Sequence, residues 1–335
     1  MRTERSYRET YEEGRKRLEE IGLPDAALDA RILLEEVCGT QMQTLLIHPE
    51  RLVTEEELAA YREFIDRRVK REPTAMILGK WDFMGLTFQL NGSTLIPEQD
   101  TERLVEVVLE SVEGGNLSFA GARCLPDAGD ISTRSHDARC LPDAGGATAE
   151  NFAKEEPMQG QGKRASARIL DLCTGSGCIL LSLLHFLPEA SGLGTDLSSK
   201  ALEAAMQNRE SLGLEDRAQL RQGDLWEPVG EERFDIIVSN PPYVPTGVIP
   251  TLEPEVRCGE PYAALDGGQD GLDFYRSILE KAAEHLTPGG WIFLESGFDE
   301  AADICRLMEE NGFTKIRVYQ DYGGLDRVVA GEMYV

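Results

Sequence analysis

The sequence predicts an α/β fold class: an open, largely parallel sheet covered by helices, preceded by a small helical bundle and a β-hairpin linker. Three patterns predict it. Residues 1–71 repeat their apolar side chains at helical spacing, residues 74–95 mix apolar residues with turn-formers, and short apolar strands alternate with helices after Arg168. Such alternation is typical of parallel sheets with crossover helices, whose ligands sit at the carboxyl ends of the strands.

The first region, residues 1–72, is predicted to be a helical domain. Apolar residues recur at steps of three or four within 7–21 and again within 27–37, which is typical of amphipathic helices. Thr54 followed by Glu57 fits a capping box, in which each residue satisfies a free amide of the other at a helix start. These patterns predict a bundle of short helices.

Residues 73–97 are predicted to form the β-hairpin linker, and 98–335 the main α/β domain. In the linker, Gly79, Gly85 and the pair Asn91-Gly92 separate short apolar runs, as turns separate strands. The main domain contains a direct repeat, Ala-Arg-Cys-Leu-Pro-Asp-Ala-Gly, at 122–129 and 138–145. Two copies cannot build a solenoid, and the polar, glycine-rich composition around them predicts a flexible insertion at 113–167.

Composition excludes several functional classes. The chain has 335 residues with 34 Lys and Arg against 60 Asp and Glu, a net charge of −26, which argues against broad contact with a phosphate backbone. No apolar run reaches the ~18 to 20 residues of a membrane span, so we expect a soluble, cytoplasmic protein. The seven cysteines form no C-x-x-C pair, so we expect reduced thiols and no metal site.

Four strand ends carry the residues that indicate chemistry. The first strand of the main domain runs into Asp171-Leu-Cys-Thr-Gly-Ser-Gly177, where glycines permit a tight turn and close approach to a ligand. Asp196 ends the next strand 19 residues after Gly177, close to the ~20-residue offset of a carboxylate that binds ribose hydroxyls. Alternatively, Asp196 is the N-cap of the following helix. The third strand ends in Asp224-Leu225-Trp226, which would suit an adenine ring and its amino group.

The fourth strand ends in Asn240-Pro241-Pro242-Tyr243, the most specific of these signals. Two prolines remove two amide donors and stiffen the turn, so main-chain carbonyls can face a ligand. Asn240 adds a side-chain acceptor and Tyr243 a flat aromatic wall. The four residues together would hold a planar amino group through two accepted N–H bonds.

This set of motifs resembles the S-adenosylmethionine-dependent methyltransferases that modify planar nitrogens, and most closely the release-factor glutamine methyltransferases (PrmC/HemK). The resemblance covers nearly the whole chain outside the insertion. Besides the motifs after the strands, it rests on Arg71-Glu-Pro, Ile77-Leu-Gly, Leu95-Ile-Pro with Thr101-Glu102, Glu260-Pro, Ala264-Leu-Asp-Gly-Gly, Asp270-Gly-Leu, Pro288-Gly-Gly and Asp326-Arg-Val-Val. One departure is Glu98-Gln99, which stands where the family usually has Arg-Pro and replaces a cation with an acid.

The resemblance implies a Rossmann-like methyltransferase sheet, an N-terminal domain that recognises substrate, and S-adenosylmethionine (SAM) as cofactor. It implies that SAM is bound by Cys173, Thr174, Gly175, Ser176, Gly177, Asp196, Leu197, Asp224, Leu225 or Trp226, and Asn240. It assigns catalysis to Asn240, Pro241, Pro242 and Tyr243.

The family methylates the side-chain nitrogen, N5, of the glutamine in the Gly-Gly-Gln (GGQ) motif of class 1 peptide chain release factors. The implied partner is therefore a release factor, without direct contact to nucleic acid or membrane. Two alternatives remain open. One is methylation of a nucleobase amino group, adenine N6 or guanine N2, which presents the same planar donor. The other is a non-catalytic SAM-binding scaffold.

Overall fold

The computed structural model of the chain describes residues 5–113, 123–124 and 166–333. Apart from residues 123–124, the repeat in the predicted insertion lies outside the described residues. The strands are β1 (Arg5–Ser6), β2 (Leu52–Val53), β3 (Lys80–Phe83), β4 (Leu86–Gln89), β5 (Arg123–Cys124), β6 (Arg168–Leu172), β7 (Ser191–Asp196), β8 (Ala218–Gln222), β9 (Phe234–Ser239), β10 (Leu286–Glu295), β11 (Phe313–Gln320) and β12 (Asp326–Met333).

The helices cover both the N-terminal region and the two faces of the main sheet. They are α1 (Tyr7–Glu20), α2 (Ala26–Cys38), α3 (Met42–Ile47), α4 (Glu55–Val69), α5 (Thr74–Leu78), α6 (Gln99–Glu113), α7 (Cys178–Phe186), α8 (Ser199–Ser211), α9 (Pro254–Gly259), α10 (Tyr262–Leu265), α11 (Asp273–His285) and α12 (Ala301–Glu310), with a 3-10 turn at Ile249–Thr251. None of them, in the part of the chain that the structure describes, is long and apolar enough to cross a membrane.

The N-terminal helices pack around their own apolar core, as predicted. Tyr61 of α4 lies at its centre, and its hydroxyl donates to the carbonyl of Ala30 in α2 at 3.1 Å. A Cβ at Gly14 of α1 would lie 2.0 Å from the Tyr61 oxygen, so α1 can approach α4 this closely only with glycine there. The capping box of α4 is present, with Thr54 accepting from the amide of Glu57 at 3.1 Å and its own amide donating back at 2.7 Å.

The main sheet confirms the predicted α/β class. In the described part of the chain its strand order is β5-β11-β12-β10-β9-β6-β7-β8. The strands from β10 to β8 pair in parallel, whereas β12, β11 and β5 pair antiparallel at the other edge. One face carries a core with α6, α7 and the hairpin, and the opposite face a core with α11 and α12. The sheet is therefore the middle layer of three.

The β3–β4 hairpin is attached to the main domain by its apolar packing and by hydrogen bonds to one buried side chain of α8. Asn208 of α8 accepts from the amide of Gln89 at 2.6 Å and donates to its carbonyl at 3.0 Å, so it pairs with β4 as a neighbouring strand would. The same Asn208 amide group also donates to the carbonyl of Ser176 at 2.9 Å. Through Asn208 the hairpin supports the loop between β6 and α7.

Some short elements differ from the sequence prediction. The residues of α5 form a helix at the start of the predicted hairpin linker, because Pro73 is its N-cap and the Thr74 hydroxyl donates to buried Asp29. The helices α3, α9 and α10 were not predicted either. They have four to six residues, too few for a periodic pattern to be visible.

Candidate active site

The carboxyl ends of β6 and β9 lie side by side at the centre of the main sheet. From β6 the chain proceeds to β7 and β8 on one side, whereas β9 and β10 lie on its other side. The strand order therefore reverses between β6 and β9, the kind of switch point at which open parallel sheets bind ligands. A cavity of about 560 Å³ opens there, within the range of ~300–1,000 Å³ usual for small-molecule sites.

The loop between β6 and α7 forms one wall of the cavity. Cys173, Gly175 and Gly177 have φ angles of +61°, +56° and +80°, a region that favours glycine. Cys173 therefore occupies a backbone conformation that is strained for a residue with a side chain. The predicted residues Cys173, Thr174, Gly175 and Ser176 line the cavity, whereas Gly177 is the N-cap of α7 and does not.

Asp171 lies fully buried at the end of β6, behind this loop. Its Oδ2 accepts from the Thr174 hydroxyl at 2.6 Å and from the Leu180 amide at 3.3 Å. Its Oδ1 has no hydrogen-bond partner among the described residues. Burial raises the pKa of Asp171 to about 7, although the two hydrogen bonds lower it. Asp171 thus holds the loop in place and keeps one acceptor position open.

Asp196, at the end of β7, lies at the cavity as predicted. Its Oδ2 accepts from the amide of Gly175 at 2.9 Å and its Oδ1 from the amide of Ser198 at 2.8 Å. Burial raises its pKa. The alternative that Asp196 caps the next helix is wrong, because Ser198 is the N-cap of α8 and accepts from the Ala201 amide. Asp196 is thereby available to the cavity, with Leu197 beside it.

The end of β8 contributes two of its three predicted residues. Asp224 and Leu225 line the cavity, and Leu225 has a φ of +42°, an uncommon conformation for a branched side chain. Trp226 does not line this cavity: it stacks on His285 at 4.6 Å between ring centroids, and its indole donates to the carbonyl of Ser277 at 3.0 Å. Of the two residues predicted to cover an adenine, Trp226 is thus placed away from the cavity and Leu225 at it.

The end of β9 places Asn240 and Pro242 at the cavity. Asn240 donates through Nδ2 to the hydroxyl of Thr101 at 3.2 Å. No hydrogen bond within the described residues uses its Oδ1 or the Pro241 carbonyl as acceptor. Tyr243 is half-buried against the core around α11 rather than on the cavity wall, so the predicted aromatic wall at this position is not formed in this structure.

The chain matches two protein-family models, the PrmC N-terminal domain over residues 9–79 and the methyltransferase small domain over residues 156–249. It is 37% identical to a release factor glutamine methyltransferase of Agrobacterium fabrum, over 94% of this chain and 93% of the relative. It is 38% identical to one of Geobacter sulfurreducens with the same coverage. The chain belongs to the release factor glutamine methyltransferase family.

Solved structures of other methyltransferases are similar at lower identity. The T. thermophilus 16S rRNA N2 G1207 methyltransferase, in complex with AdoMet and guanosine, has a TM-score of 0.46 and 19% identity, covering 76% of this chain and 49% of that chain. A methyltransferase from Pyrococcus furiosus has a TM-score of 0.41 and 21% identity, covering 51% and 77%.

As a member of this methyltransferase family the protein is an enzyme, and its cofactor is S-adenosylmethionine. The cavity fits this molecule chemically. The Asp196 carboxylate faces it as an acceptor for hydroxyl groups, Ile179, Leu225 and Phe274 provide apolar walls, and glycine at 175 leaves the backbone open. No group of three or more metal-ligating side chains occurs among the described residues. The individual cofactor contacts stay predictions.

The sequence alone predicted no role for Glu295 and Arg327, two buried charged residues. Glu295 ends β10, is 2% exposed, and burial raises its pKa to about 8. Arg327 of β12 is held by Asp321 at 3.1 Å and Asp100 at 2.9 Å. The signal for Glu295 was present in the sequence, because a carboxylate directly after an apolar parallel strand lies at the same edge as the other strand-end residues.

The structure also shows what surrounds Glu98, where the family usually has arginine. Desolvation and the neighbouring carboxylate of Asp100 raise the pKa of Glu98, whereas Arg327 lowers it. Glu98 in turn raises the pKa of Glu260, which burial and this charge bring to about 8. Arg327 of β12 interacts with Glu98 and with Asp100, so the positive charge beside these acids comes from a distant part of the chain.

Proposed function

We propose that this enzyme methylates the side-chain amide nitrogen, N5, of the glutamine in the GGQ motif of class 1 peptide chain release factors. The names of the relatives support it. The observation that carries it is the state of Asn240: its Nδ2 is engaged by Thr101, which leaves Oδ1 to accept an N–H from a planar amide at the edge of the cavity.

The turn after β9 is suited to hold a primary amide by both of its hydrogens. Asn240 Oδ1 would accept one N–H and the carbonyl of Pro241 the other. Pro241 and Pro242 carry no amide hydrogen and fix their own φ angles, so the Pro241 carbonyl is held in place, and the Asn240 side chain is held through Thr101. Two fixed acceptors leave the lone-pair direction of the nitrogen pointing out of the amide plane, toward a group bound deeper in the cavity.

Orientation is the main contribution that the protein must make. SAM, when bound, supplies a methyl group on a positively charged sulfur and is itself the strong electrophile. An amide nitrogen is a weak nucleophile, so holding it at near-attack distance supplies much of the rate. As this nitrogen gains positive charge, the hydrogen bonds that it donates to Asn240 Oδ1 and to the Pro241 carbonyl become stronger. The nitrogen then loses a proton to water, and a dedicated base is not needed beforehand.

We further propose that the partner is the release factor protein itself, met in the cytoplasm without direct contact to nucleic acid or membrane. The net charge of −26 supports this, because a negatively charged surface repels nucleic acid. Release factors act at the ribosome, which is rich in negatively charged RNA. A positively charged surface on a release factor would also be attracted to this negatively charged enzyme.

The deciding experiment is mass spectrometry of the GGQ peptide from a full-length class 1 release factor after incubation with the enzyme and SAM. We expect a gain of one methyl group on the glutamine side chain. A release factor with glutamate in place of that glutamine should gain none.

Two parallel incubations, one with ribosomal RNA and one with DNA, use radiolabelled SAM. Label only in nucleic acid would contradict the proposal and favour nucleobase methylation. SAM binding without transfer to any of the three substrates would favour the non-catalytic scaffold.

A further inference from the structure

The backbone of Asn240 does not determine which end of its side-chain amide faces the cavity. Its side-chain amide can present either the acceptor Oδ1 or the donor Nδ2 to the cavity, since the two ends have the same shape. With Nδ2 toward the cavity, a substrate amide would meet a donor instead of an acceptor. Some neighbour must therefore select between two arrangements that differ by a rotation of 180°.

Thr101 is in direct contact with the opposite end of this amide. It lies in the first turn of α6, is 2% exposed, and its Oγ1 accepts from Asn240 Nδ2 at 3.2 Å. A hydroxyl has a single proton to donate. If that proton is used elsewhere, Thr101 can only accept from Asn240, and Nδ2 is the only end of the amide that can donate to it.

Glu295 is the acceptor for that hydroxyl group. The register pairs Leu294 of β10 with Ser239 of β9, so Glu295 and Asn240 leave the sheet side by side. The Thr101 side chain, as a hydrogen-bonding neighbour, lowers the pKa of the Glu295 carboxyl, and Glu295 Oε2 has no hydrogen-bond partner among the described residues. The three side chains thus form one chain of donors, from Asn240 to Thr101 to Glu295.

We propose that Thr101 is a positioning residue which, backed by the Glu295 carboxylate, holds Asn240 with Oδ1 toward the cavity. This proposal rests on the proposed function of Asn240 as the acceptor for the substrate amide. Thr101 and Glu295 act only through Asn240. Their effect is to select one of two amide orientations, and therefore to set the fraction of enzyme that can accept a substrate N–H.

Because Glu295 can ionise, the choice between the two orientations of the Asn240 amide depends on pH. The charged groups that face Glu295 are Arg327, Glu98 and Asp100, and the neutral groups are Tyr243, Tyr275 and Cys178. Burial raises the pKa of Glu295 to about 8, whereas Thr101 and Arg327 lower it. When protonated, the carboxyl can donate to Thr101, whose own proton can then turn toward Asn240. Turnover should rise with pH through this range, because only the ionised form enforces a single direction.

The first test compares Thr101→Val with Thr101→Ser in the full-length enzyme. Valine keeps the shape but removes the hydroxyl, so we expect kcat for release-factor methylation to fall by about tenfold, the effect of ~1.4 kcal/mol. The Kd for SAM should stay within about twofold. Serine should restore kcat to within about threefold of wild type. Thr10→Val, at a buried threonine of α1, is the matched control and should leave kcat unchanged.

The second test examines Glu295→Gln alone and with Thr101→Val. A neutral carboxamide can donate to Thr101, so kcat should fall and its rise with pH near 8 should disappear. The double variant should be no slower than Thr101→Val, because both changes break the same chain of donors. If the losses in kcat of the two single variants multiplied in the double variant, the proposal would be overturned. A pH profile of Glu295→Gln identical to that of wild type would also overturn it.

A third measurement does not depend on the substrate. In protein labelled with ¹⁵N-asparagine, the Asn240 side-chain signal is assigned by its loss in Asn240→Asp. We expect slow hydrogen exchange for this signal in wild type and Thr101→Ser, and exchange about tenfold faster in Thr101→Val. Equal exchange in all three would refute the positioning role. If this signal behaves as expected while no release factor is methylated, the proposed function fails and the positioning of Asn240 stands.

Discussion

Single residues of the cavity divide two tasks between different strand ends. Most residues predicted to bind the cofactor lie at or after the ends of β6, β7 and β8, whereas the acceptors predicted for the substrate follow β9, where Asn240 was predicted for both roles. Thr174 bonds to Asp171 beside it and Asp196 bonds to Gly175 of the neighbouring loop, but the side chain of Asn240 bonds only to Thr101 among the described residues. Substitutions at the two groups should therefore separate cofactor binding from turnover.

Asn240→Ala is the sharpest case of that separation. We expect kcat to fall by about 10²- to 10³-fold, the usual loss when one oriented polar group at the reacting atom is removed. The Kd for SAM, measured by calorimetry, should change by less than about threefold. Asn311→Ala, at the end of α12, removes an amide that bonds only to the carbonyl of Leu307 and serves as control. A parallel loss of SAM binding in Asn240→Ala would mean that Asn240 is chiefly a cofactor contact.

Asp171 should make the unfolding free energy depend on pH. Its pKa is about 7 in the folded chain and ~3.9 when unfolded, so between these values the folded state binds more protons. The stabilising contribution of Asp171 is therefore full below a pH of ~3.9 and is lost as pH rises from there through about 7. Asp171→Asn does not titrate and keeps an acceptor for Thr174. In urea unfolding at pH 5 to 8, its free energy should fall less steeply than that of wild type, by at most ~1.4 kcal/mol per pH unit.

The control for Asp171 is an acid whose pKa moves the other way. Hydrogen bonding to Arg276 lowers the pKa of Asp270 to about 2, so Asp270 stays ionised in both states above pH 5. Asp270→Asn should leave the pH slope between 5 and 8 unchanged. An identical slope for Asp171→Asn and wild type would show that Asp171 is ionised in the folded protein.

Among the elements, those with strong local signals were predictable and those that depend on distant contacts were not. The spans of α6, α7 and β9 follow from apolar periodicity, and α4 from the Thr54 capping box. By contrast, α5 depends on Asp29, far away in the chain. Trp226 was assigned to the cavity because it adjoins Asp224, but a strand end does not specify on which side of the sheet the next residue packs.

The same distinction applies to the candidate site. Loops after parallel strands meet at one edge whatever their side chains do, so Asp196, Asp224 and Asn240 could be brought together from sequence. The contact from Thr101 to Asn240 spans 139 residues, and it depends on the packing of α6 against β10 and β12. A single sequence contains no pattern that records such a pairing.

The capping box gives a prediction at the scale of one helix. Thr54→Ala removes the acceptor for the Glu57 amide, and the loss of a cap of this kind costs about 1 kcal/mol. Hydrogen exchange of the α4 amides should then be about fivefold faster. Asp25→Ala is the matched control, because Asp25 is the N-cap of α2 but makes no side-chain capping bond. Equal effects of the two changes would show that the capping box adds nothing to α4.

At the scale of the whole molecule, partly buried ion pairs connect the helical region to the segment that follows Asn240. Arg68 of α4 bonds to Asp29 at 2.7 Å and to Glu255 of α9 at 3.2 Å, and Arg71 also reaches Glu255 at 3.1 Å. A Cβ at Gly259 of α9 would lie 2.4 Å from Pro73. The N-terminal helices therefore hold α9, and the residues directly after α9, Pro261, Ala263 and Ala264, line the cavity.

Glu255→Gln should weaken this connection without unfolding the chain, because Arg68 keeps Asp29 as its partner. We expect faster hydrogen exchange in α9 and a severalfold lower kcat/KM for release factor, since the cavity wall after α9 loses its support. A double-mutant cycle with Arg71→Gln should give a coupling of about 0.5–1 kcal/mol in unfolding free energy.

The exposed α1 pair Arg15 and Glu19 is the matched control for this cycle, and its coupling should be smaller because solvent screens both charges. Its disruption should also leave kcat/KM unchanged, since Arg15 and Glu19 pair with each other on the exposed face of α1 and do not line the cavity. If Glu255→Gln accelerated exchange in α9 while kcat/KM stayed at the wild-type value, the helical region would stabilise the fold without shaping the cavity. If instead kcat/KM fell together with the coupling, the helical region would contribute to catalysis through a contact that the cavity residues themselves never make.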